Sequence, residues 1–409
     1  MNNTPSKFLL SSDPPIIDFS NSPKEVFKRV LITDSIFDFY PDAEITINDE
    51  GGAISDYIIS SEGLKFTSKL GSDDDGYLES TWVWGENQLQ DTVKSYHVGG
   101  DFFLGLDHYN SLLDVEKSNA YNDTVSNAVK DIIKNDFNIT ETKDYLITDT
   151  SEIGYRYRFN EFVDDKFEKW ADNAYSQSFD KSPFVSFFNS AGKFYFCALE
   201  DLFKREDFIS DEPFILDMSP ESQENYNAID DYNAFFVGLP FNKNNYRKKI
   251  YNHSKASLSE NETFNIEDFK LPGSGNYFIN KDTLKLFEKA PRLQSSNKYL
   301  GIFDKSKEQH LYNGLRNNEF FDSYLPMRLE IIIKFNKDAV SGKKIKTELG
   351  TTIAQKNDRS SEYSGEWLII ESSHFFDADA IPYSKLLIAK SGAKVDPVHP
   401  FKKPKDSLA

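Results

Sequence analysis

The stretch MRLEIIIKFNKDAVSGKKIKTEL, Met327–Leu349, decides the fold. Leu329, Ile331, Ile333 and Phe335 fall on one side of an alternating pattern, and Glu330, Ile332, Lys334 and Asn336 on the other. Period-2 alternation with one apolar side predicts a β-strand over a buried core. The Val340-Ser341-Gly342 turn leads into Ile345, Thr347 and Leu349, which alternate again. After a polar loop (355–364) come GEWLIIESSH (Gly365–His374), FFDADAIPY and SKLLIAKSG (Ser384–Gly392). Four strands joined by short turns and one longer loop predict an antiparallel sheet or small barrel.

Working outward, the 409-residue chain is long enough for two to four domains. Its aromatic content of 15%, with 35 Phe and 21 Tyr, favours strands and broad packed interfaces. The net charge is −19, set by 66 acidic and 47 basic residues. Such a chain repels phosphate backbones rather than seeking them, yet it suits the wall of a passage for a polyanion. Residues 325–409 hold 14 Lys/Arg and 11 Asp/Glu, a net of +3, which leaves −22 on residues 1–324. The single cysteine, Cys197, excludes an intrachain disulfide and a cysteine-based zinc site. It sits among aromatics and reads as a buried thiol. The N-terminus has no signal-peptide pattern, and no apolar run reaches the ~20 residues that span a bilayer. A soluble protein made in the cytoplasm is expected.

In chain order, residues 1–23 read as an extended arm punctuated by Pro14, Pro15 and Pro23. Residues 24–115 carry strand signals at Val26–Ile32, around Ile45 and Ile47, near 63–71, and at Tyr77–Trp84, Lys94–Val98 and Phe102–Leu106. Together they predict a first β-barrel, completed by part of 205–245. Residues 116–204 read as an α+β insertion. A helix spans Tyr121 to Phe137 with Asn122 or Asp123 as N-cap, and a second runs from Glu161 to Tyr175. An aromatic hairpin, SPFVSFFNSAGKFYFCALEDLF, turns at Asn189–Gly192. Residues 246–395 make a second barrel with a helical insertion near 301–322, and 396–409 form a tail. The fold class is therefore mainly β, with two tube-type barrels and an α+β insertion.

The search for chemistry returns no catalytic, cofactor-binding or metal residue. Gly273-Ser274-Gly275 lacks the Lys-Ser/Thr of a phosphate loop. Asp73-Asp74-Asp75-Gly76 lacks the spacing and terminal Glu of a calcium loop. His97, Asp101, Asp107 and His108 fit no ligand spacing, and Glu371 with His374 is not a zinc-protease pair. No carboxylate couple, Ser elbow or Cys–His dyad stands out.

The order of these pieces resembles the baseplate hub proteins of contractile-tailed bacteriophages, with the late control protein D group and the N-terminal half of type VI secretion spike proteins. The most specific parts are the Gly342 turn, the strand ending at His374 and the Tyr-containing return strand beyond it. The resemblance implies a homotrimer in which each chain supplies two like barrels, so three make a pseudo-sixfold ring. It implies a non-enzymatic virion protein, assembled in the host cytoplasm, that adapts a sixfold tail tube to a threefold spike around the DNA path. The implied partners are the tube protein or tube initiator, the central spike and baseplate wedge proteins, with DNA only as passing cargo. Competing expectations are an aromatic-rich carbohydrate- or receptor-binding virion protein, with Trp82 and Trp84 stacking on sugars, and a glycoside hydrolase.

Overall fold

A computed structural model describes residues 7–13, 26–52, 54–56, 65–84, 95–151, 153–179, 182–217, 233–238, 325, 327–349, 363–377 and 381–390. The molecule is mainly β. Strands β1 (Lys7–Asp13), β2 (Phe27–Ser35), β3 (Asp42–Asn48), β4 (Lys65–Ser72), β5 (Gly76–Val83), β6 (Ser95–Val98) and β7 (Asp101–His108) form the N-terminal unit. Six of them run in the order β1-β4-β5-β7-β3-β2, with β6 added on β7. Alternation on each strand sends Phe8, Val30, Ile45, Phe66, Trp82 and Leu104 into one core. The sheet curls until its two edges share that core, bringing the rings of Phe8 and Phe27 to 4.9 Å. Among the described residues no ladder joins β1 to β2, so the seam closes through side chains. The extended N-terminal stretch is thus a working strand: β1 pairs with β4 from Lys7↔Gly71 to Asp13↔Lys65.

The insertion follows: α1 (Tyr109–Leu113), β8 (Lys117–Thr124), α2 (Val125–Asn135), β9 (Tyr145–Ile147), β10 (Ile153–Glu161), α3 (Val163–Asn173), β11 (Phe184–Phe188), β12 (Phe194–Ala198) and α4 (Leu199–Lys204). The helical spacing of Val125, Val129, Ile132 and Ile133 places all four in a core with Phe167, Trp170, Phe188 and Phe194. The N-cap of α2 is Thr124, which accepts from the Asn127 amide, rather than Asn122 or Asp123. Those two residues belong instead to β8, which pairs antiparallel with β10 as a separate ribbon. The aromatic hairpin forms as its sequence predicts, Phe184↔Ala198 to Phe188↔Phe194, and β9 adds in parallel to β12.

Strands β13 (Phe214–Asp217), β14 (Asn233–Gly238), β15 (Met327–Lys334), β16 (Lys344–Leu349), β17 (Gly365–Asp377) and β18 (Tyr383–Lys390) complete the chain. Their pairings run β17-β16-β13-β14-β15-β18 and return to β17, a closed six-stranded barrel. The alternation that opened the sequence holds: Leu329, Ile331 and Ile333 face its interior with Ile345, Trp367 and Ile388. Although part of 205–245 is expected to complete the first barrel, β13 and β14 belong to the second, because β13 lies parallel to β16 and β14 pairs with β15. Two of the barrel's contacts are parallel, β13–β14 and β13–β16, so it is not a purely antiparallel sheet. The Gly273–Gly275 turn, the helix expected near 301–322 and the basic tail lie outside the described residues.

The barrels share one strand. At 13 residues β17 is about 40 Å long, twice a typical strand. Along one edge it pairs first with β16, Thr347↔Gly365 to Lys344↔Leu368, and then with β2, Glu371↔Ser35 to Asp377↔Arg29. A register shift between Ile369 and Glu371 marks the change of partner. Trp367 and Ile369 enter the second core, whereas Phe376 enters the first.

Candidate functional site

The place where three units meet is the change of partner on β17. There the Ile36 amide donates to the Ile370 carbonyl at 2.9 Å, and the Gly342 amide to the Ile369 carbonyl at 3.0 Å. Between these two contacts lies Asp34, only 4% exposed. Its Oδ1 accepts from the Ser341 amide at 3.0 Å and the Ser341 hydroxyl at 2.6 Å. Its Oδ2 accepts from the Ser190 amide at 2.7 Å. One carboxylate therefore ties β2 of the first barrel to the Val340–Gly342 turn of the second and to the hairpin turn of the insertion. Three donors, two of them fixed backbone N–H groups, satisfy the buried charge.

The turn has its shape for a reason of space. Gly342 has φ +87°, and a Cβ there would lie 3.1 Å from Phe187 Cζ and 3.2 Å from Tyr195 Cε1. Phe187 and Tyr195 face each other across the hairpin with ring centroids 4.5 Å apart and planes 3° from parallel. The glycine lets the barrel's backbone lie on that stacked pair. Asn189 reinforces the contact by donating to the Ser341 carbonyl.

His374 sits on the adjoining half of β17, fully buried. Its Nε2 lies 3.1 Å from Ser372 Oγ and its Nδ1 2.9 Å from Ser384 Oγ on β18. Burial lowers its pKa to about 4, so the ring is neutral at physiological pH. It spans neighbouring strands as a hydrogen-bonded pin.

Other sequence candidates disperse. Asp101 and His108 stand at opposite ends of β7, about 23 Å apart at 3.3 Å per residue. His97 lies 3.5 Å from Asp49, and His108 is buried beside Trp82 and Phe188. Among the described residues no group of three His, Cys, Asp or Glu is placed to hold a metal. Asp73 accepts from Tyr77 and Lys7, and Asp75 from Ser72, as a hairpin turn does. Cys197 is buried, and burial pushes its thiol well above the usual range. The sugar-stacking expectation for Trp82 and Trp84 is overturned: they are 0% and 2% exposed, and Trp82 donates to Ser68.

A second buried ionic cluster, not legible in the sequence, anchors the β8–β10 ribbon. The Arg158 side chain is fully buried and donates to Asp136 Oδ2 at 2.9 Å, to the Glu161 carbonyl at 2.6 Å and to the Val115 carbonyl. Asp114, 3.7 Å away, accepts from the Val163 and Asp164 amides at the start of α3 and from the Tyr40 hydroxyl. A carboxylate at a helix N-terminus answers its unpaired N–H groups.

These arrangements hold structural units together; among the described residues they bring no nucleophile, base and oxyanion donor to one place. No protein-family model matches the sequence, and no curated protein matches it. Solved structures do. A tail protein from Neisseria meningitidis MC58 is similar at 9% identity and a TM-score of 0.47, over 96% of this chain and 98% of that one. The 43 kDa tail protein of prophage MuSo2 from Shewanella oneidensis is similar at 9% identity and a TM-score of 0.49, over 95% and 100%. The E. coli c3393 protein, described as a type VI secretion component with structural similarity to the T4 tail proteins gp27 and gp5, gives 11%, 0.40, and 92% and 77%.

Proposed function

We propose that the chain is a structural hub of a phage tail baseplate, acting as a homotrimer and without catalysis. The observation that carries this is the pairing in one chain of a closed six-stranded barrel with a curled seven-stranded sheet around its own core, held together by the shared strand β17. A threefold object presents six like surfaces only if each chain supplies two of them. Two barrels fixed by one strand and one buried carboxylate provide such a pair in a set relation. On this proposal the ring continues a sixfold tube on one face and receives a threefold spike on the other. The insertion, 116–204, lies on the outside toward wedge proteins.

Charge fits a conduit. Three chains carry −57, and the −22 on residues 1–324 makes the first barrel the main source of an acidic wall. Only charges within about 8 Å of the passing strand matter at physiological salt. The test is electron microscopy of the purified chain with light scattering for mass. A three-chain ring of six barrels around a channel is expected. A compact monomer at all concentrations, or a ring that binds DNA tightly and salt-sensitively, would overturn the proposal.

A further inference from the structure

We draw no further inference here: the strongest candidate, the apolar face of the β8–β10 ribbon formed by the exposed Ile153, Tyr155, Tyr157 and Phe159, carries none, because nothing in the structure shows what covers it.

Discussion

Replacing Asp34 with Ala removes the acceptor shared by the Ser190 amide, the Ser341 amide and the Ser341 hydroxyl. The hydroxyl has an alternative in the Ile370 carbonyl, 3.5 Å away, so its loss is partly recovered. Among the described residues the two amides have no other acceptor, and they stay buried. At about 1–3 kcal/mol for each stranded donor, the change should destabilise the joint by about 2–6 kcal/mol. Asp34→Asn keeps one oxygen and should cost about half as much. Since a chain with several cores need not unfold in one step, a global midpoint is a poor measure. Residue-resolved hydrogen exchange is the better assay. A loss of 2 kcal/mol accelerates exchange about 30-fold, and it should appear first at Ser190 and Ser341, with the amides in the two barrel interiors slower to respond. Unchanged protection at both serines in Asp34→Ala would refute the assignment of this carboxylate as the tie between the units.

Arg158→Met leaves Asp114 buried without its cation and Asp136 with Lys117 alone, which should cost about 3 kcal/mol and loosen the β8–β10 ribbon; urea unfolding with tryptophan fluorescence as reporter checks it. Gly342→Ala puts a methyl within 3.2 Å of the Phe187–Tyr195 stack at a left-handed φ, for a loss of about 1–3 kcal/mol in thermal melts, and Phe187→Ala should relieve part of it. Acidification should destabilise the fold through its buried histidines. His374 and His108 titrate near 4 when folded and near 6.5 when unfolded, so the unfolded chain binds more protons between those values. Their stabilisation is complete above about pH 6.5 and is lost as pH falls toward 4, up to about 3 kcal/mol each. His374→Asn should flatten that slope in urea midpoints measured from pH 7 to 4.5. Trp170→Ala, in the insertion's core beside Phe167 and Tyr121, should cost about 3–5 kcal/mol in urea unfolding followed by circular dichroism.

The sequence by itself determined those strands and helices whose apolar residues keep a fixed period, though not β1, which reads as an arm, nor the β8–β10 ribbon. The alternation of Leu329, Ile331 and Ile333, the helical spacing of Val125 to Ile133, and the aromatic hairpin at 184–198 are local signals with a fixed period, and each reappears in the structure. The turn glycine and His374 were also visible as residues, although not what they touch. Only the tertiary structure decided which strands close which barrel. Strand β13 precedes β16 by more than 130 residues and β14 precedes β15 by more than 90, and no periodicity records a pairing over such distances. Nor does a 13-residue strand announce that its two halves serve different cores: the run of four buried residues Trp367–Ile370 breaks the alternation, but only the change of neighbour there shows that the strand passes from one core to the other. Asp34 and Arg158 were hidden for the same reason. In a chain with 113 charged side chains, a carboxylate or a guanidinium is buried and paired only once distant backbone groups converge on it, and that convergence exists in three dimensions alone.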